Sequence, residues 1–399
     1  MFWYALARNS SHLLTVAAPL GVLLRKILSI GRHFPRGLHF QVAHPPSHTS
    51  LPVSLAGARI VRVLRPFLVL FPALLLALPV AAQVKLTPAP GRVSVQIDGR
   101  PFTDFYMSGE AFNAKVTKPY LWPLRAATGT SITRAWPMQD VPEEAAEKKP
   151  QRSGPPAMDH PHQRGLWFAH DTVNKLDFWN NEWTYFADLH RQNLGRINLQ
   201  KTGDIVSGRT RGSIAATFEW TDMEGHNPIL TESRVMTFYA DPKLRYFDLD
   251  ITLTALVPVT FGDGKDGLLG IRLRPLLQED KGVSHITNAE GLVGEKQLWG
   301  KPSDWCDYSG EIDGEKVGVA ILDHPANPRH PVRWHARGYG LFAANPFGLA
   351  VFTNDKSQNG AVTIEPGKSL RFRYRVIIHP GTVKDADIAG LFARYAAAR

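Results

Sequence analysis

Apolar and polar residues alternate with a period of two over most of the chain. The pattern is plainest at Val93 to Ile97, Ile214 to Trp220, Arg234 to Tyr239, Leu244 to Thr254 and Leu370 to Ile378. Successive side chains of a strand point to opposite faces, so these runs predict half-buried β-strands. Turn-forming pieces such as Asp98-Gly99-Arg100, Asp222 to Gly225 and Asp313-Gly314-Glu315 separate them. In the longest run, Leu244, Tyr246, Asp248, Asp250 and Thr252 share one face. Arg245, Phe247, Leu249, Ile251 and Leu253 share the other, which is the expected core side. Only Asp385 to Ala398 has a helical period, with apolar residues at 388, 391, 392 and 395. The expected fold is all-β: a large antiparallel β-sandwich closed by a short C-terminal helix.

Two stretches depart from this alternation. Residues 59–82 run from an arginine-rich start through an apolar core to a Val-Ala-Ala end, the form of a signal peptide cleaved after Ala82. The apolar core falls short of the ~20 residues of a membrane span, and Pro72 and Pro79 interrupt it. Residues 1–58 are then expected to reflect a start codon assigned too far upstream, the alternative being an N-terminal anchor at Leu13 to Ile30. The second stretch, residues 137–157, is rich in Glu, Lys and Pro and reads as a polar loop or the base of a lid within a single domain spanning 83–399.

Charge changes meaning once the leader is set aside. The chain carries a formal +10 and a pI near 9.6. Eight of its 46 Lys and Arg lie in residues 1–82, which hold no acid, leaving 38 bases against 36 acids in the remainder. That near balance gives no support for nucleic-acid binding, which needs a basic patch on the folded domain. One cysteine, Cys306, cannot form an internal disulfide, and no segment of the mature part has the length and apolarity of a membrane span. Export to a bacterial periplasm or the extracellular space is the expected setting.

Candidate chemistry concentrates in two segments. Asp159 to Trp183 combines three histidines, an arginine, acids and three tryptophans. In an extended backbone His160, His162 and Arg164 would share a face. With His170 or Asp171 the two histidines would make a metal site; without a metal they are acid–base groups near neutral pH. Trp167, Trp179 and Trp183 offer stacking surfaces for a sugar ring, or else ordinary core. The second segment, Asp323 to Phe347, holds His324, Asn327, Arg329, Trp334, His335, Arg337 and Tyr339 after a predicted strand. A complementary carboxylate is expected among Asp171, Asp177, Glu182 and Asp323. A buried hydrogen-bonded knot that ties strands together is the structural alternative for both segments. No Gly-x-Ser-x-Gly elbow, Walker loop, dinucleotide fingerprint or Cys-x-x-Cys is present.

Three motifs, KPYLWPLRAATGTSITRAWPM from Lys118, DHPHQRGLWFAHDTVNKLDFW from Asp159, and YSGEIDGEKVGVAILDHPANPRHPVRWHARGYGLFAANPFG from Tyr308, resemble the PmoA-like family of exported bacterial proteins over about residues 85 to 397. The family's usual His-Pro-His-His-Arg has Gln163 at its fourth place here. The name implies a copper oxygenase subunit built of membrane helices, which this mature chain lacks. The strand-rich pattern also looks like the galactose-mutarotase-type supersandwich, which implies carbohydrate bound on a concave sheet. The leading expectation is a carbohydrate-active lyase, epimerase or hydrolase acting on a small-molecule or oligosaccharide ligand. His160, His162, Arg164, His170, Asp171, His324 and His335 would serve its chemistry. Lys118, Trp167, Asp177, Trp179, Asn327, Arg329, Trp334, Arg337 and Tyr339 would hold its ligand. No cofactor is required, although a divalent metal on His160, His162 and His170 would fit a metal-dependent oxidoreductase. The third alternative is a noncatalytic binding module.

Overall fold

The alternating segments are strands in the computed structural model, which describes residues 83–150, 157–189, 191–282 and 284–398. The expected leader and upstream extension lie outside the described residues. Sixteen strands build two antiparallel sheets. In chain order they are β1 Val84–Ala89, β2 Arg92–Ile97, β3 Arg100–Tyr106, β4 Tyr120–Trp122, β5 Leu166–His170, β6 Gly195–Val206, β7 Arg211–Asp222, β8 Leu230–Tyr239, β9 Arg245–Ala255, β10 Gly267–Arg272, β11 His285–Asn288, β12 Trp305–Ile312, β13 Glu315–Asp323, β14 Arg333–Arg337, β15 Leu341–Asn345 and β16 Ser369–Pro380. The first sheet runs β1-β2-β3-β4-β5-β10-β15-β14, and the second runs β11-β12-β13-β16-β9-β8-β7-β6.

The two sheets bury their apolar faces against each other. Phe102 of the first sheet meets Phe238 of the second at 6.1 Å between ring centroids, Phe105 meets Phe218 at 6.3 Å, and Phe168 meets Phe372 at 5.9 Å. Each such ring contributes roughly 1.5–3 kcal/mol through removal from water. Strand β9 buries Arg245, Phe247, Leu249, Ile251 and Leu253, the face its alternation marked. The same interior admits one ion pair: Arg234 Nε donates to Glu232 Oε1 at 2.7 Å, and Trp220 donates to the other oxygen at 2.9 Å. The terminal helix Ile388–Ala396 packs Ile388 and Tyr395 with Trp305, Leu322 and Ile377, on the far side of the second sheet.

Because Phe168 points between the sheets, its neighbours Trp167 and Ala169 point to the outer face of the first sheet. Pairing extends that face to Gly270 and Arg272 of β10 and to His335 of β14. An excursion after β5 folds over it, and the Trp179 ring lies 4.9 Å from that of Trp167. Gly270 is needed there, since a Cβ would fall 2.7 Å from Trp179. Residues 137–150 are largely exposed, but one acid among them is anchored. Glu144 is buried, and its carboxylate accepts from the backbone of Ala135 and Trp136 at 2.8 and 2.9 Å. Among the described residues no helix is long and apolar enough to cross a membrane.

Candidate active site

The loop entering β5 is a turn. His160 has a left-handed backbone (φ 52°), and Gly165 (φ 55°) turns the chain into the strand where a Cβ would strike the Leu121 carbonyl. His160 and His162 are therefore neighbours through a turn, not through the extended backbone their spacing predicted. Two arginines hold it. Arg134, fully buried, donates to the Asp159 carbonyl and carboxylate, each at 3.0 Å, and to the His160 carbonyl at 2.8 Å. Arg272 reaches across from β10 to Asp159 Oδ1 at 3.0 Å and donates its other arm to Gln163 Oε1. Burial, followed by the charge of Arg272, pushes Arg134 down to about 9.

Asp159 is the hub of this arrangement. Its Oδ2 lies 2.7 Å from His160 Nδ1, an ion-pair contact whose angle leaves that nitrogen without an aligned hydrogen bond. Burial works to raise this carboxyl, but the His160 contact and the two guanidinium charges overcome it and hold it far below the usual carboxylate range. The His160 ring stacks on Tyr339, with centroids 5.5 Å apart and planes 7° from parallel. His162 stands nearly edge-on to His160 at 5.5 Å and lies 6.0 Å from Tyr185. Its ring is buried and its Nδ1 has no hydrogen-bond partner. Burial first, then the charge of Lys118, pushes this imidazole well below its usual range. Lys118 is buried as well, donates to Trp179 O at 2.8 Å and Asn181 Oδ1 at 2.6 Å, and is pushed down to about 7 by burial. Arg164 pairs with Glu182 at 2.8 Å beside the Tyr120 ring. A cleft of about 330 Å³ opens beside Asp159, Arg272 and Tyr339.

The two histidine-rich segments meet, but only in part. Tyr339 joins the site, and Arg337 lies over Tyr339 and Trp299 at 5.5 and 5.1 Å. His335 is on the same sheet face, packed 4.9 Å from Trp299 with Nδ1 3.4 Å from Asp266; burial pushes it down to about 3. Asp171 stands near Asp266 at the end of β5, and burial with that repulsion raises it to about 7. His324, Asn327, Arg329 and Trp334 lie elsewhere. Asn327 bonds Asp323 and the Arg373 backbone at 2.7 Å, His324 packs on Tyr395, and Arg329 donates to Pro346 O at 3.1 Å. Trp334 is core, donating to Ser303 O at 3.0 Å. Asn327 and Trp334 are buried and hydrogen-bonded as the structural alternative expected, whereas Arg329 is exposed.

Three further expectations change. Trp167 and Trp179 are buried against each other, so neither offers a face to a ligand. Asp177 shapes a turn, accepting from Trp179 N at 3.0 Å and Asn180 N at 2.8 Å. His170 points between the sheets, 5.2 Å from Phe347, with Nε2 2.8 Å from Gly262 O, and burial pushes it down to about 4. It therefore cannot join His160 and His162 around a metal. Among the described residues no group of three or more His, Cys, Asp or Glu side chains is placed to hold one. The residues that sequence reasoning did not single out are Asp159, Arg134, Arg272 and Tyr185. Asp159 was signalled by its adjacency to His160; Arg134 comes from the irregular segment after β4 and Arg272 from β10, and neither carries a local mark. Gln163, the departure from the family motif, accepts from Arg272, a role open to a neutral histidine nitrogen as well.

The model of a family of unknown function, DUF6807, matches residues 92–393. The chain belongs to that family. No curated protein matches this DUF6807 chain. Among solved structures it is similar to a GH36 α-galactosidase from Geobacillus stearothermophilus, at 9% identity and a TM-score of 0.36, over 76% of this chain and 41% of that one. The chain thus spans about two fifths of that enzyme's length. It is also similar to a galactose mutarotase-like protein from Clostridium acetobutylicum, at 10% identity and a TM-score of 0.32, over 74% and 98%. A galactose mutarotase-like protein from Lactobacillus casei gives 7% identity and a TM-score of 0.31, over 74% and 100%. Likeness at this level carries no argument about function, which has to come from the site.

Proposed function

We propose that this protein performs acid–base chemistry on a carbohydrate at the half-exposed His160, whose neighbours Asp159 and Tyr339 line the cleft. The observation that carries the proposal is the Asp159–His160 pair, 2.7 Å apart, half-exposed beside a cleft and held by two arginines. The Asp159 carboxylate beside Nδ1 would favour a proton on that nitrogen, leaving Nε2 of His160 to take a proton from the sugar and return it. Arg134 and Arg272 keep Asp159 ionised and oriented, so they are positioning residues. His162, buried and edge-on at 5.5 Å, supports the His160 ring. Tyr339 braces the reacting ring from behind. Kinship with PmoA-like exported proteins and a periplasmic or extracellular setting belong to the same proposal; they rest on the KPYLWPLR and DHPHQRG motifs and on residues 59–82.

Calorimetric titration with a panel of mono- and oligosaccharides, followed by NMR of the mixtures for epimerised, eliminated or hydrolysed product, tests this reading. Binding and turnover are expected for at least one sugar, with turnover lost in His160→Ala. Absence of heat and product across the panel, or full turnover in that variant, overturns it.

A further inference from the structure

A second cleft lies on the other side of the segment that carries Arg134 and Glu144. The short hairpin Glu110–Ala111/Ala114–Lys115 turns through Phe112 and Asn113, both left-handed at φ 54° and 58°. Such a turn favours Asn-Gly, and a bulky aromatic there is strained. The strained residue holds a large ring in the open: Phe112 is 37% exposed, 4.9 Å from Trp122 and 5.3 Å from Tyr106, and Tyr106 in turn stacks on Tyr120 at 5.0 Å. An ordinary hairpin tip needs no such residue, and strain of this kind is kept where a site uses it.

Clefts open on both sides of this ring. One of about 450 Å³ is lined by Trp122 with Asp104, Arg125, Gln139 and Arg274; another of about 330 Å³ shares Tyr106 and Phe112. Both volumes fall within the range of small-ligand sites, ~300–1,000 Å³. The polar rim is close to balanced in charge. Arg274 is committed to Glu143, and Glu144 to backbone amides, so neither an anion nor a cation finds an excess of opposite charge. Nε of Arg274, a buried side chain, has no partner. An exposed aromatic face, planar hydrogen-bonding groups around it and little net charge are the chemistry that recognises a neutral sugar ring. We propose that this aromatic shelf is a separate binding site for a neutral oligosaccharide, with Phe112 as its stacking surface. Trp122 connects the shelf to the site described above, since its indole donates to the Arg134 carbonyl at 2.9 Å.

Xylotriose, cellotriose and maltotriose, titrated separately by calorimetry with Trp fluorescence as a second readout, test the shelf. At least one is expected to bind wild type. Affinity should fall tenfold or more in Phe112→Gly, which suits the left-handed backbone and keeps the fold by circular dichroism, and should return in Phe112→Trp. Equal affinity in wild type and the glycine variant, or no binding of any trisaccharide, overturns the shelf. His160→Ala separates this from the proposed function: it should leave trisaccharide affinity at the shelf unchanged while turnover is lost. If turnover persists there and Phe112→Gly still loses binding, the shelf stands and the catalytic reading falls.

Discussion

Asp159 and Asp323 each lie against a neighbouring histidine at nearly the same distance, 2.7 Å from His160 and 2.8 Å from His330, but only the second contact is aligned as a hydrogen bond. Their side chains differ in exposure, 49% against 1%, and so do those of the histidines, 40% against 16%. Asp159 faces a cleft and draws its hydrogen bonds from two arginines. Asp323 is enclosed, and its oxygens also accept from Asn327 and the Val332 backbone. The same pair of residue types thus stands half-exposed in one place and clamps the loop after β13 in the other. What separates them is which side of a sheet the loop closes on and whether water or a ligand can reach the ring. Residue type alone does not distinguish the two.

The largest expected contrast is catalytic. His160→Ala should lower turnover by about 100-fold or more, whereas His330→Ala should leave it unchanged, as read in single-turnover assays on the sugar identified by titration. Next comes stability: Asp323→Ala strands its buried partners and should cost about 3 kcal/mol in urea unfolding, with turnover per folded molecule retained. A pH comparison sharpens the pair further. The Asp323 hydrogen bond raises His330 above the usual imidazole range. A raised histidine stabilises the fold fully below its unfolded value of ~6.5 and loses that contribution as pH climbs through the folded value. Wild type should therefore lose more stability than His330→Asn between pH 6 and pH 8.5, and equal losses would remove the clamp role. The smallest effect is expected at His324, which packs edge-on against Tyr395 at 5.1 Å: His324→Ala should cost no more than about 1 kcal/mol and leave turnover unaltered.

Much of the fold could be read along the chain because strand periodicity is a local property. The buried face of β9 and the terminal helix with Ile388 and Tyr395 inward follow the pattern residue by residue. The Glu232–Arg234 pair escaped it, since two charged residues on a strand's core face look like a surface until each supplies the other's partner. Within the site, the clustering of His160, His162 and Arg164 was legible from spacing. Their arrangement was not, because Pro161 and a left-handed His160 replace the extended backbone that spacing assumes. The tryptophans pointed to a stacking surface, yet Trp167 and Trp179 cover each other, and the exposed ring is Phe112, which sits in an unremarkable stretch of sequence.

By itself the sequence determined the strand-rich class, the closing helix and the two places where histidine, arginine and acid gather, since each depends on composition and short-range period. Only the tertiary structure decided that Arg134 and Arg272 converge on Asp159, that His170 faces the core, and that Asn327 and His330 of the second cluster clamp onto Asp323. Those outcomes depend on sheet register and on which face each strand turns outward, and a contact between residues 113 positions apart, as in Arg272 with Asp159, leaves no trace in local pattern.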